Sequence, residues 1–277
     1  MAFISKYLAL AVCISFIPGC FQVETTVRVN PDGSGTIEER MLMSRMIIKQ
    51  FEEMSRAFAE PDEKPPRPFT LHEEEKLRKR AANLGQGVAY VSSSAIEDDS
   101  YSGYKALYSF SDINKVRLSS AGKEAMPGEG EKEGGTGDGA VAFNFSPGAT
   151  SRLLIIMPRS ESAAKPSGSE DGKTVEPSMT PEQKKEVGEM MKGMRFSLAV
   201  EVKGAIVKTN ATQCKGNRIT LFEFDLDRMG GGFEELQKLQ SSGGAQAPTL
   251  AEARNLLKNL PGVSVELNDQ VEVLFKK

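Results

Sequence analysis

One arrangement in this chain has covalent and specific chemistry: Ile17-Pro18-Gly19-Cys20, a cysteine at the end of a short apolar run and just after small residues. Lys6 supplies a positive charge ahead of the run Tyr7 to Phe16, and that order is the order of a secretory signal peptide. The run falls short of the ~20 residues that a membrane-crossing helix needs. The pattern therefore predicts cleavage between Gly19 and Cys20, with Cys20 taking lipid on its thiol and its freed amine. Residues 1–19 are the expected lipoprotein signal peptide, and the remainder is expected to work at a membrane surface outside the cytoplasm.

No other residue set carries a comparable signature. The turn Asn30-Pro31-Asp32-Gly33-Ser34-Gly35 has the oxygen side chains and glycine of the first half of a calcium loop. The twelfth position is Met41, where calcium needs a bidentate carboxylate, so the turn reads as the bend of a β-hairpin. His72 is the single histidine, placed beside Glu73, Glu74 and Glu75 on what reads as a solvated helix face. With Cys13 in the signal and Cys20 lipidated, Cys214 is the one remaining thiol, which excludes an intramolecular disulfide and reads as a small buried apolar residue.

Among carboxylate pairs, Glu38/Glu39, Asp98/Asp99 and Asp225/Asp227, the last has strand spacing that puts both side chains on one face, as an acid–base pair requires. It also stands where a strand enters a helix, so Asp227 is expected to cap that helix. Gly230-Gly231-Gly232 has neither the setting nor the lysine of a phosphate cradle, and no Gly-x-Ser-x-Gly elbow occurs. No catalytic residue, metal ligand or cofactor is assigned. Methionine is the suggestive excess: Met43, Met54, Met190, Met191 and Met194, with Ile47, outline a candidate groove for an apolar ligand, set against ordinary core packing.

The elements that must position these residues follow from periodicity. Alternation over residues 23–29 and 36–43 flanks the turn and predicts a hairpin almost at the lipid. Ser44 suits an N-cap, and Met43, Ile47, Phe51, Met54 and Phe58 recur at helical steps until the prolines of 61–68. A second helix is expected over 70–84, with Leu77, Ala81 and Leu84 inward, Glu74/Arg78 and Glu75/Lys79 paired, and Gly85 as the stop. Strands are expected at 87–94, 104–110, 141–145, 152–157, 196–202, 205–212 and 218–224, with Gly204 as a turn between two of them. Helices are expected from Thr180-Pro181-Glu182, over 229–240 and over 250–260, and the chain is expected to end in a hairpin about Asn268-Asp269. The glycine- and glutamate-rich 122–139 and the polar 158–178 read as loop and linker.

The expected fold class is α+β, a mostly antiparallel meander sheet with amphipathic helices packed on one side. Its expected division is an N-terminal half over 20–157, a linker over 158–178 and a C-terminal half over 179–277, the halves able to form one composite domain. The formal net charge is −3 and becomes one unit more acidic when Lys6 leaves with the signal. That balance gives no basic footprint for nucleic acid and leaves membrane attachment to the lipid.

Several stretches resemble the LppM-like lipoprotein domain of bacterial lipoproteins. They are Cys20 to Val29 with Asn30-Pro31-Asp32-Gly33-Ser34-Gly35; Gly103-Tyr104-Lys105-Ala106 with Phe110-Ser111-Asp112-Ile113-Asn114; and Phe196 to Gly204 with Asn210 and Gly216-Asn217-Arg218-Ile219-Thr220. The last departs from the family form, with Lys203-Gly204 in place of Pro-Gly and Phe222 in place of tryptophan. The resemblance implies a non-enzymatic envelope lipoprotein, with lipid or glycolipid binding considered for some relatives, and brings no catalytic residues.

The reading is a lipid-anchored envelope protein, in contact with the membrane through Cys20, that binds a protein partner or an apolar ligand. Phe21 rather than aspartate follows Cys20, the pattern of outer-membrane lipoproteins facing the periplasm if the cell is Gram-negative. The alternatives are a lipid or glycolipid carrier with a Met-lined cavity, and an envelope hydrolase using Asp225 and Asp227.

Overall fold

The structure, a computed structural model, describes residues 21–57, 69–119, 140–158, 193–229 and 260–277. The signal segment with Cys20, the glycine run at 230–232, the loop at 122–139, the linker after Pro158 and the helices expected from Thr180, beyond Met229 and over 250–259 lie outside the described residues.

Thirteen strands and three α-helices are described, besides one short 3-10 helix, Ile113–Lys115. In chain order they are β1 (Phe21–Val29), β2 (Gly35–Ser44), α1 (Arg45–Ala57), α2 (Glu74–Asn83), β3 (Ala89–Glu97), β4 (Tyr101–Phe110) and β5 (Arg117–Ser119). There follow β6 (Ala140–Ser146), β7 (Ser151–Ile156), β8 (Arg195–Val202), β9 (Ala205–Thr209), β10 (Cys214–Lys215) and β11 (Arg218–Asp225). The four-residue α3 (Leu226–Met229), β12 (Val263–Val265) and β13 (Gln270–Lys276) complete the set.

The strands form two sheets. The larger has the order β10-β11-β8-β1-β2-β4-β3, with β12 also on β11, and the smaller has β5-β6-β7-β13-β9. This overturns the expected α+β class: the described protein is mainly β, and its helices do not form a layer along one side of a single sheet. Inward residues of both sheets, such as Val27, Ile37, Val200 and Ile219 from one and Phe143, Ile155, Val273 and Phe275 from the other, belong to one buried cluster. Burial on that scale, at roughly 25 cal/mol per Å² of apolar surface, is what two facing sheets gain over one.

The meander reading fails at specific places. β1 pairs with β8 in parallel, Val27 beside Val200, across most of the length of the chain. A parallel pair cannot be joined by a tight hairpin, so chain order and sheet order part company here. Gly204 does not turn β8 back on itself; it carries the chain from the larger sheet to β9 in the smaller one. A Cβ there would come within 1.9 Å of the Lys276 carbonyl oxygen at a φ of +148°, which restricts the crossing to glycine.

The expected terminal hairpin also fails, because β12 pairs with β11 and β13 pairs with β7 and β9. The crossing between them is tied down by Glu266, a buried carboxylate that accepts from Thr212 N at 2.8 Å, Thr212 Oγ1 at 3.0 Å, Gln213 N at 3.3 Å and Asn268 N at 2.9 Å. Each sheet therefore draws strands from both 20–157 and 179–277.

Local chemistry explains the elements themselves. In the first hairpin, Asp32 Oδ1 accepts from Ser34 N at 3.0 Å and Ser34 Oγ at 2.7 Å, and Asn30 N donates to Ser34 O at 2.8 Å. The tip docks on the second sheet: Ser151 Oγ donates to Pro31 O at 2.9 Å, and a Cβ on Gly33 would strike the Phe145 ring at 2.6 Å. Ser44 caps α1, its Oγ accepting from Ile47 N at 3.3 Å. α2 begins at Glu74 rather than 70 and buries Leu77 and Ala81. Of its expected pairs, Arg78 Nη2 meets Glu74 Oε1 at 2.5 Å.

Candidate functional site

Two sets of polar side chains stand out on the larger sheet, one on each face, and period-two alternation makes both from the same strands. On the outer face a ladder of alternating charge crosses five strands. Arg218 on β11 meets Glu201 on β8 at 2.7 Å, Glu201 meets Arg28 on β1 at 3.1 Å, Arg28 meets Glu38 on β2 at 3.1 Å, and Glu38 meets Lys105 on β4 at 3.2 Å. A second row runs Glu223, Arg195, Glu24, Arg40 with separations of 2.9, 3.6 and 4.0 Å. Burial works against the Glu38 carboxylate, but hydrogen bonds and charge from Lys105 and Arg28 outweigh it and hold its pKa below the usual range.

On the inner face, where α2 lies over β2, β4 and β3, the core is interrupted by a buried ion pair. Glu39, the residue after Glu38, receives Arg80 in bidentate fashion, Nε to Oε2 at 2.8 Å and Nη2 to Oε1 at 2.9 Å. Tyr104 and Tyr108 on β4 stand beside this pair, both buried, and no hydrogen-bond partner for the Tyr108 hydroxyl is found among the described residues. Tyr90 packs edge-on to Tyr108 with ring centroids 6.1 Å apart, and the Arg78 guanidinium sits 4.5 Å from the Tyr90 centroid. Toward solvent the cluster ends in a hydrogen-bonded chain, Tyr90 Oη to Ser93 Oγ at 2.7 Å and Ser93 Oγ to His72 Nε2 at 2.8 Å. His72 thus precedes α2 and is half-buried against β3, not a residue of a solvated helix face.

The electrostatics of the inner cluster are those of a locked structure. Burial, then the Glu39 charge, pushes the Tyr104 and Tyr108 phenols well above their ordinary range. Burial opposes the Arg80 charge, but Glu39 outweighs it through charge and hydrogen bonds, and the guanidinium is held more firmly protonated. Asp98 is lowered by the backbone N–H groups of Tyr101 and Ser100, and the Cys214 thiol is raised by partial burial and then by Glu266. Each of these shifts moves its group away from neutral pH, the reverse of what a poised acid or base shows.

The residues singled out from sequence scatter. Asp225, not Asp227, caps α3, accepting from Arg228 N at 3.3 Å, while Asp227 accepts from Gly193 N at 2.6 Å. Met43 is buried in the core, and Ile47 and Met194 pack against it. The Met54 side chain and Met190 and Met191 lie outside the described residues. Cys214, expected to be buried, is exposed on the short β10–β11 hairpin. Among the described residues no cluster of three or more metal-ligating side chains occurs, and no helix is long and apolar enough to cross a membrane.

The inner cluster was not anticipated. The one signal for it was Glu39 at an inward position of β2, between Ile37 and Met41.

No protein-family model matches the chain, and no curated protein matches it. Among solved structures it is similar to the NMR structure of the folded domain of LppM from Mycobacterium tuberculosis, at 10% identity over 95% of each chain and a TM-score of 0.33. That protein bears the name of the domain that the sequence motifs resemble; a likeness at this level carries no argument about the present chain.

Proposed function

We propose that this protein is a lipid-anchored, non-catalytic lipoprotein of the bacterial envelope that holds a two-sheet β-structure at the membrane surface and docks a protein partner there. The observation that carries the reading is the position of β1. It starts at Phe21, one residue after the candidate lipidated Cys20, and runs between β8 and β2 in the larger sheet. Phe21 is buried, with its ring 5.8 Å from that of Phe196. The anchor thus leads into the folded protein without a tether, and several acyl chains hold a lipoprotein firmly where one does so only marginally. Phe21 in place of aspartate supports the outer membrane, facing the periplasm, in a Gram-negative cell.

A protein partner is favoured over an apolar ligand by the contrast between the methionines and the β3 edge. Met43 fills core space, whereas β3 is, among the described residues, a nine-residue edge strand with no charge before Glu97 and with Val91 50% exposed at a register shift. Such an edge offers backbone groups to an extended segment of another protein. The carrier alternative retains the half-buried Ile47 and Met194 and side chains outside the described residues, and the hydrolase alternative loses its support because Asp225 and Asp227 each bond a different backbone N–H.

The test is expression of the full chain in a Gram-negative host, detergent-phase partition and mass analysis of the N-terminal peptide. The expected result is a peptide beginning at acylated Cys20 and transfer of Cys20→Ala to the aqueous phase. An intact residue 1–19 segment with unmodified Cys20 in the wild-type protein overturns the proposal. For the docking half, a photo-crosslinker at Val91 is expected to trap one envelope protein in living cells and to lose it on Ser92→Lys.

A further inference from the structure

We propose that α1 is a second membrane contact, lying along the bilayer surface beside lipidated Cys20 and fixing the orientation of the whole protein. The inference rests on the anchored-lipoprotein reading and adds a residue-level surface to it. Phe21 pairs with Met43, so the strand that leaves the anchor and the strand that enters α1 end side by side. The first residue of the helix is held at that end. Arg45 N donates to Ser100 O at 2.9 Å, and the Arg45 guanidinium donates to Asp98 O at 2.5 Å and to Glu97 Oε2 at 2.6 Å.

The helix has more apolar surface than the core uses. At about 100° per residue, Met46, Ile47, Phe51 and Ile48 spread over an arc of about 200° that also holds the uncharged Gln50, while the charged Arg45, Lys49, Glu52, Glu53 and Arg56 fall on the rest. Among the helix side chains described, Ile48 is the one buried in the core, with the half-buried Ile47 packed against it. Met46 is 47% exposed and Phe51 37%, two of the four large apolar side chains exposed among the described residues. Phe51 also stacks on Phe69, centroids 6.1 Å apart, which widens the apolar strip.

The occupant is a lipid surface because the chain preceding Phe21 carries its lipid to this end of the sheet, within one residue of β1. A helix of this length, about 20 Å, lying flat beside a covalent anchor buries its exposed apolar arc at the head-group boundary. Asp98 and Asp99 occupy the same end, so the attraction comes from apolar insertion and not from anionic head groups.

The chain contains no tryptophan, so a single introduced indole reports its own depth. The full lipidated protein, as Met46→Trp, Phe51→Trp or Lys203→Trp, is reconstituted into phosphatidylcholine vesicles with and without bromine on the acyl chains. Lys203 follows the far end of β8, roughly 25 Å from the anchored end at ~3.3 Å per strand residue. Brominated lipid is expected to quench positions 46 and 51 at least two-fold and to leave 203 unchanged. Vesicle-bound protein in which 46 and 51 are as unquenched as 203 overturns the inference and leaves the anchor standing. Failure of all three variants to float with vesicles overturns the anchor itself, and the helix contact with it. Both helix positions are exposed, and unchanged far-ultraviolet circular dichroism checks that the fold survives.

Discussion

Glu38 and Glu39 are neighbours in sequence and end in opposite worlds. Glu38 joins a solvent-washed ladder of five alternating charges, whereas Glu39 is buried with one bidentate arginine under α2. The same chemical pair, carboxylate and guanidinium, has different consequences on the two faces. Outside, water screens each charge, and the loss of Arg28 leaves Glu38 with Lys105 and Glu201 with Arg218. Inside, the Glu39 carboxylate depends on Arg80, because a buried charge left alone has no water to turn to.

The largest expected effect comes from leaving Glu39 alone. Arg80→Met is expected to cost about 3–5 kcal/mol in urea unfolding. The double substitution Glu39→Met/Arg80→Met is expected to recover most of that. A loss below ~1 kcal/mol for the single change would break the contrast between the faces.

Tyr108→Phe sharpens the comparison from the other side. Removing a buried hydroxyl that lacks a partner among the described residues is expected to stabilise the fold by about 1 kcal/mol, read from its melting temperature at pH 8. The folded pKa of Tyr108 is raised, first by burial and then by Glu39. The folded state therefore keeps its proton where the unfolded state loses it. Stability is full below the ordinary tyrosine value of about 10 and falls as pH rises above it. The phenylalanine variant is expected to show a shallower alkaline loss, and an unchanged slope above pH 10 would count against the cluster as drawn.

The smallest effect belongs to the ladder. Arg28→Ala is expected to cost less than about 1 kcal/mol and to lose even that difference from wild type near 1 M salt. A cost as large as that of Arg80→Met would mean that the outer face is not the screened surface that its exposure indicates.

Much of the strand content was legible in the sequence. Phe196, Leu198, Val200 and Val202 alternate, and β8 follows; the turn at Asn30 to Gly35 joins β1 to β2; Ser44 caps α1. Each of these depends on residues within a few positions of one another. The candidate groove was less legible, because methionine at helical or strand spacing serves core and ligand alike, and Met43 took the core. Cys214 went the other way, into an exposed hairpin, since a lone thiol carries little local information about burial.

By itself the sequence determined where most described strands and two of the helices lie, which residues α2 and β4 turn inward, and that Cys20 stands at the end of a signal-like run. These follow from periodicity, capping and turn chemistry, which are local. For α1 the expected face of Ile47 and Phe51 gave way to Ile48 in the core. Only the tertiary structure decided that β8 lies parallel to β1, that β12 and β13 belong to different sheets, and that Glu39 meets Arg80. Those pairings join residues far apart in the chain, and what selects them is the burial of two apolar sheet faces against each other, a property of the whole fold that no short window contains.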